Sequence, residues 1–137
     1  MAKKSHLETS LKKATIELLL LKLLDEGDMY GYQLSGELKR RSNGQYTILE
    51  GSMYPILYRL TDSGYISFYE KKVGVRQTRI YYHLEDAGRQ YLKDLLASYR
   101  SYTQVISFLL HSQEGDCYGP EQTSETLPQA DQAADSF

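Results

Sequence analysis

The residues best suited to contact another molecule lie in the segment from Glu50 to Leu60, which reads EGSMYPILYRL. Its leucines and isoleucine have the spacing of one helical face. We predict that the helix begins at Gly51 or Ser52, which puts Pro55 in the first turn, where the backbone N–H groups have no intrahelical partner. Such a turn offers free N–H groups, a serine hydroxyl and tyrosines, all of which suit the phosphates and base edges of a nucleic acid. We therefore predict that this helix contacts DNA through Ser52, Met53, Tyr54 and Tyr58.

A purely structural interpretation of the same helix is the alternative. Tyr54 and Tyr58 would then pack in a core, and Ser52 would only cap the helix. The spacing of the residues does not separate the two interpretations.

A second group of candidate contacts is basic and lies in a predicted hairpin. After Gly64 apolar and polar residues alternate, first around Ile66 and again around Tyr82, and a charged turn with Gly74 separates the two runs. Basic residues at such a tip can span phosphates or reach into a minor groove, or they can simply keep the hairpin soluble. Because the hairpin directly follows the candidate recognition helix, we predict DNA contacts from Lys71, Lys72, Arg76 and Arg79.

Two helices precede this region and must position it. The segment Leu7–Glu26 has two apolar stripes, so this helix must be covered on two sides, one of them by a helix from elsewhere such as a second subunit. The segment Tyr30–Arg41 predicts a shorter helix that ends in basic residues, and the SNGQ that follows predicts a loop.

A long helix is predicted from Glu85 to His111. Its apolar residues are spaced 3, 4, 3, 4 and 3, which is typical of the a/d seam of a coiled coil. The seam consists of Leu92, Leu95, Tyr99, Tyr102, Ile106 and Leu109. We predict that this face packs against a partner helix.

Composition limits the classes of function. The chain has 137 residues, one cysteine and no tryptophan, which fits a single domain in a reducing compartment. No apolar run is long enough to cross a bilayer, and the N-terminus lacks signal-peptide features. The histidines have no metal-ligand spacing, and no Ser, His and Asp set or paired carboxylate site is evident. We therefore expect a cytoplasmic, nucleoid-associated protein with no metal, no cofactor, no membrane association and no enzymatic activity.

Charge is distributed unevenly along the chain. Residues 1–111 hold all 16 basic and 12 of the 18 acidic residues, a net charge of +4, whereas residues 112–137 carry −6. The first part can therefore face a polyanion although the whole chain is acidic. The polar last part predicts a flexible tail, which either competes with DNA for the basic hairpin or only solubilises the chain.

These segments together resemble the PadR-like transcriptional regulators. The resemblance rests on GSMYPILYRLTDSGYI (51–66), RIYYHLEDAGRQYL (79–92) and MYGYQL (29–34). It implies a winged-helix DNA-binding domain, with Tyr32 and Gln33 of the second helix added to the DNA contacts. It also implies a homodimer formed through the long C-terminal helix and the first helix, where Leu11 and Leu18 lie. The chain is similar to the subgroup with a single C-terminal helix.

Two features depart from that family pattern. Members often have Thr where Glu85 stands before the last helix. Some small members bind flat aromatic ligands between tryptophans at the dimer interface, and this chain has none, so Tyr99 and Tyr102 are interpreted as packing residues.

We predict a mainly α fold with a two-stranded β wing. It comprises a winged helix-turn-helix over residues 1–84, a C-terminal dimerisation helix over 85–111 and an acidic flexible tail over 112–137. The first functional hypothesis is a repressor that binds double-stranded DNA as a homodimer on an inverted-repeat operator. The second is a winged-helix adaptor that binds another protein through the same tyrosine-rich surface. The sequence identifies neither the operator nor a small-molecule effector.

Overall fold

The described part of the chain is mainly helical, with one small sheet. The computed structural model describes residues 2–111, with side chains from Leu11 onward. Its elements in chain order are α1 (Ala2–Glu26), β1 (Met29–Tyr30), α2 (Gly31–Arg41), α3 (Glu50–Asp62), β2 (Ile66–Lys72), β3 (Thr78–Leu84) and α4 (Asp86–His111). The predicted fold class is confirmed, whereas the predicted acidic tail lies outside the described residues. Within residues 2–111, each helix is too short or too polar to cross a bilayer.

The chain divides into two compact units, residues 1–92 and residues 93–137, of which 2–92 and 93–111 are described. The beginning of α4 belongs to the first unit, and its buried residues are Gly88 and Leu92. The division predicted from the sequence, with the winged helix-turn-helix ending at residue 84 before α4 begins, stays a prediction.

α1 supplies the largest share of the core of the first unit. Between Ile16 and Leu24 it buries six apolar side chains that belong to both predicted stripes, so this part of the helix is covered within the unit. Burial of one such side chain stabilises the fold by roughly 1.5–3 kcal/mol. The other elements contribute Met29, Leu34, Leu38, Met53, Leu57, Leu60, Ile66, Leu84 and Leu92.

The sheet has three antiparallel strands in the order β1-β3-β2, one more than the predicted two-stranded wing. β1 consists of Met29 and Tyr30, which pair with Tyr82 and Tyr81 of β3. Two residues are too few to show a period-two pattern. This strand therefore depends on its pairing with β3 rather than on its local sequence.

Burial falls along the β2–β3 hairpin, which we call the wing. Ile66 and Leu84 pair at its base and are buried, whereas Phe68, on the same predicted apolar face, is 56% exposed. Ile80, which lies still further from the base, is also exposed. Only the base of the wing therefore reaches the core, and cross-strand pairs stabilise the rest.

α3 begins earlier than predicted, at Glu50, with Leu49 as its N-cap residue. The N–H of Ser52 donates to the Leu49 carbonyl at 2.9 Å. Ser52 is therefore not the N-cap, and Pro55 lies in the second turn rather than the first. Because proline has no N–H to donate to the Gly51 carbonyl, the helix loses one hydrogen bond there, and burial of its apolar face offsets the loss.

The loop after α2 forms as the SNGQ segment predicts. Asn43 and Gly44 have φ values of 55° and 82°, the left-handed conformation that ends many helices. The N–H of Gly44 donates to the Lys39 carbonyl at 2.8 Å. These residues turn the chain away from α2 and towards α3.

A glycine allows α4 to begin directly beside β2. A Cβ atom on Gly88 would overlap the carbonyl oxygen of Tyr65 and approach the side chain of Leu84. The N–H of Glu85 donates to the same carbonyl at 2.9 Å, and the hydroxyl of Ser67 donates to the Glu85 carboxylate at 2.5 Å. The start of α4 is thus fixed to the base of the wing.

Candidate nucleic-acid interface

α3 has one buried and one exposed face. Met53, Leu57 and Leu60 are buried at helical spacing, so the opposite side of the helix faces solvent. The exposed residues are Glu50, Gly51, Ser52, Tyr54, Pro55, Tyr58, Arg59 and Asp62. Tyr58 is 74% exposed and is not a core residue. Met53 was predicted to contact DNA, but it is fully buried, and its side chain therefore packs in the core.

α2 and α3 approach each other closely at Gly31. A Cβ atom on this residue would overlap the hydroxyl group of Tyr54, so the glycine lets the Tyr54 ring lie against the beginning of α2. Burial, and then the Glu50 carboxylate, raise the pKa of the Tyr54 phenol. The hydroxyl therefore remains protonated at neutral pH and can donate a hydrogen bond.

The two contacts predicted in α2 have different surroundings. Tyr32 is 71% exposed and lies beside the approach of α2 to α3. Gln33 is half-buried, and its side-chain oxygen accepts a hydrogen bond from the backbone N–H of Tyr30 at 3.4 Å. Gln33 therefore helps to cap α2, whereas Tyr32 is open to a ligand.

Two neighbouring hollows connect α3 with the sheet. The larger, of about 500 Å³, is lined by Tyr54, Tyr58, Thr61, Asp62, Phe68 and Tyr82. The smaller, of about 320 Å³, is lined by Tyr30, Gly31, Tyr32, Tyr54, Arg79, Ile80 and Tyr82. Tyr54 and Tyr82 border both hollows. The surface from the start of α2 across α3 to the wing is therefore concave and rich in aromatic rings.

The four predicted wing cations fall into two groups. Lys72 and Arg76 are exposed at or near the hairpin tip. Lys71 and Arg79 are opposite each other in the strand register, and their charged groups lie over tyrosine rings. The first pair projects into solvent, while the second pair is held against the sheet.

Asp28 joins the wing to the turn after α1. Its carboxylate accepts a hydrogen bond from the Tyr69 hydroxyl at 2.8 Å and is paired with Nδ1 of His83, also at 2.8 Å. Burial opposes ionisation of Asp28, but the bonds from His83 and Tyr69 outweigh it and lower the pKa of this carboxyl. The bond to Asp28 raises the pKa of Tyr69. These contacts fix the orientation of the wing relative to α1.

The predicted dimerisation residues divide into buried and exposed ones. Leu18 and Leu92 are buried within the first unit, so they contribute to its core rather than to an outer surface. Leu11 is 65% exposed. In the second unit Leu95 is half-buried, and the remaining seam residues are each at least 44% exposed: Tyr99, Tyr102, Ile106 and Leu109.

Sequence reasoning missed the residues that hold the wing cations. Tyr81, whose ring lies under Lys71, is two positions from Arg79, and residues two apart in a strand share a face, so its place beside these cations had a signal. No sequence signal pointed to Tyr30, because its place beside Tyr81 depends on the two-residue strand β1.

Comparison with protein families gives one match that covers more than half of the chain. The model of the transcriptional regulator PadR-like family matches residues 20–94, which contain the helix-turn-helix, the wing and the start of α4. The negative transcriptional regulator PadR of Bacillus subtilis (strain 168) is 26% identical over 112 residues, or 80% of this chain and 62% of that protein.

Solved structures include similar proteins as well. A PadR family transcriptional regulator from Eggerthella lenta superimposes with a TM-score of 0.71 and 26% identity, over 80% of this chain and 93% of that one. Bacillus subtilis PadR in complex with operator DNA superimposes with a TM-score of 0.56 and 30% identity, over 60% of this chain and 46% of that one. The helix-turn-helix and wing thus have counterparts in regulators of known structure.

Proposed function

Because the chain belongs to the PadR-like family of transcriptional regulators, we propose that it is a repressor that binds an inverted-repeat operator as a homodimer. The family consists of transcriptional regulators rather than enzymes. The observation that carries the proposal is the two-sided character of α3: its apolar face is buried, while Ser52, Tyr54 and Tyr58 are exposed and Tyr54 lies against the start of α2. A helix held in this way can enter a major groove with its N-terminal residues leading.

The contacts with DNA divide between bases and phosphates. Ser52, Tyr54 and Tyr58 face the bases or the adjoining backbone from α3, and Tyr32 reaches a phosphate from α2. Lys72 and Arg76 at the wing contact phosphates or the neighbouring minor groove. The DNA-bound structure of Bacillus subtilis PadR supports DNA as the ligand of this fold.

The second unit supplies the dimer contact in this proposal. Its exposed apolar residues follow a coiled-coil spacing, and an apolar stripe of this kind is stable in water when a second helix covers it. Two-fold symmetry then requires two half-sites separated by about 10 bp or a multiple of it.

The aromatic surface also favours one other function. Tyr58 and Phe68 are more than half exposed, and exposed aromatic residues are enriched where proteins bind other proteins. A winged-helix adaptor is therefore the second candidate.

Footprinting on the DNA upstream of the chain's own gene separates the two functions. We expect a protected inverted repeat, and absence of a protected site at physiological salt would favour the adaptor. Lys72→Ala with Arg76→Ala should weaken binding and flatten the dependence of log K on log salt by about 1 for each phosphate that is no longer neutralised. Unchanged affinity and slope would remove the wing from the interface.

A further inference from the structure

Three tyrosines form a row across the sheet, one from each strand. Tyr30, Tyr81 and Tyr69 are direct neighbours in the strand register. The rings of Tyr69 and Tyr81 stack with centroids 5.7 Å apart and planes 13° apart, and Tyr30 meets Tyr81 edge-on at 5.4 Å. The bond from Tyr69 to Asp28 anchors one end of the row. The row is therefore held in place before any ligand binds.

Two of the wing cations lie on this row. Lys71 and Arg79 form the next register pair on the same face of the sheet, towards the tip. The guanidinium carbon of Arg79 is 4.2 Å from the centroid of the Tyr30 ring, and Nζ of Lys71 is 5.2 Å from the centroid of the Tyr81 ring. Both distances are within the range of a cation–π interaction.

A guanidinium that lies over an aromatic ring keeps its N–H donors available for hydrogen bonds. Arginine stacks through its flat face, so the donors in its plane can still reach a phosphate in a two-pronged arrangement. Arg79 also lines the smaller hollow, which is shared with Tyr32 and Tyr54 of the candidate interface. It is therefore held at the edge of the surface proposed to face DNA.

We propose that Tyr30 and Tyr81 are positioning residues for DNA binding, which act by holding Arg79 and Lys71 ready for backbone phosphates. This inference rests on the proposed function. Long basic side chains lose conformational freedom when they bind, and a side chain that is already restrained loses less. The tyrosines raise affinity without contacting DNA themselves, and they do so for any DNA sequence because phosphates carry no sequence information.

The test combines two substitutions at Tyr30 with one at Arg79. Tyr30→Leu removes the aromatic ring and should weaken binding about two- to fivefold, the effect of one exposed cation–π pair. Tyr30→Phe keeps the ring and should bind as the original chain does. Arg79→Ala should weaken binding and lower the salt slope by about 1, whereas Tyr30→Leu should leave the slope unchanged because the cation is still present.

Binding is measured on the footprinted duplex and on a duplex of random sequence, over a range of salt concentrations. In the Arg79→Ala background, Tyr30→Leu should have no further effect, and the loss of affinity in the original background should be equal on both duplexes. An equal loss with and without Arg79 would overturn the proposal, since Tyr30 would then act through packing of the sheet. Failure of the original chain to bind either duplex would instead refute the proposed function, and the positioning role with it.

A second measurement needs no substitution at Tyr30. The side-chain proton resonances of Arg79 should show the upfield shift of a group above an aromatic ring, in the free chain and in the DNA complex. Disappearance of that shift on binding would overturn the proposal, because the cation would then leave the ring to reach DNA.

Discussion

Leu57 and Tyr58 are neighbours in the chain that face opposite ways on α3. Leu57 is fully buried and Tyr58 is 74% exposed. One residue therefore holds α3 in place, while the other is available to a ligand. Substitutions at the two positions should separate folding from binding.

We expect Tyr58→Ala to weaken operator binding about tenfold, as removal of one good interaction with a base or the backbone does, and to change the free energy of unfolding by less than about 0.5 kcal/mol. Leu57→Ala, the matched control, should lower the free energy of unfolding by about 2–5 kcal/mol. DNA titrations and urea unfolding curves measure both effects. A similar decrease of stability in the two variants would make Tyr58 a packing residue.

Glu37 shows how single charges affect stability at acid pH. Hydrogen bonds from Arg40 and then Arg41 lower its pKa from 4.5 to about 2. A carboxyl group with a lowered pKa stabilises the fold above its ordinary pKa, and the contribution is lost as pH falls through the folded value. This group should therefore contribute fully above about pH 4.5 and lose its effect towards pH 2.

Glu37→Gln should accordingly be less stable than the original chain at pH 6, and the difference should shrink between pH 4.5 and pH 2. Urea midpoints measured across this range give the result. Glu70→Gln, at an exposed position of β2, removes the same kind of charge away from Arg40 and Arg41 and is the control. A Glu37→Gln difference that is constant with pH would contradict the assignment.

At the scale of elements, the close contact between α4 and Tyr65, the residue before β2, depends on the absence of a side chain at Gly88. Gly88→Ala places a Cβ atom against the Tyr65 backbone, which cannot move as easily as a side chain. We expect a decrease of roughly 1–3 kcal/mol in the free energy of unfolding, the usual cost of overpacking. Gly36→Ala, in α2 where a Cβ atom meets open space, should instead stabilise the chain by up to about 1 kcal/mol. If both variants gain stability, the close approach of α4 to β2 is not required.

The helices could be predicted from the sequence because their apolar residues repeat at helical spacing over several turns. The start of α3 was misplaced because glycine and proline were taken to mark its first turn, whereas the chain enters the helix at Leu49 and tolerates Pro55 in the second turn. β1 could not be predicted, since two residues carry no pattern of their own. For the same reason the tyrosine row became visible only with the strand register.

At the scale of the whole molecule, the exposed seam of the second unit predicts self-association. Leu95→Asp with Ile106→Asp places charges on that seam and should convert a dimer into a monomer in sedimentation experiments. Gln104→Asp, at an exposed polar position of the same helix, should leave the dimer intact. A monomeric original chain would contradict the proposed dimer.

The uneven charge of the chain predicts that its acidic last residues lower the affinity for DNA. If the acidic tail competes with DNA for the wing, truncation after His111 removes a charge of −6 and should tighten binding to random duplex DNA, most strongly at low salt. Titrations of the full and truncated chains provide the comparison. Equal affinities would leave the tail with a solubilising role only.

The concentration of tyrosines around α3 and the wing also has an optical consequence. The chain has 13 tyrosines and no tryptophan, so its ultraviolet emission comes from phenol groups alone, with no indole to absorb their energy. Tyr30, Tyr32, Tyr54 and Tyr58 lie on or beside the candidate interface. The unmodified chain therefore carries its own fluorescent reporter, and quenching of that emission would follow occupancy of this surface without an attached dye.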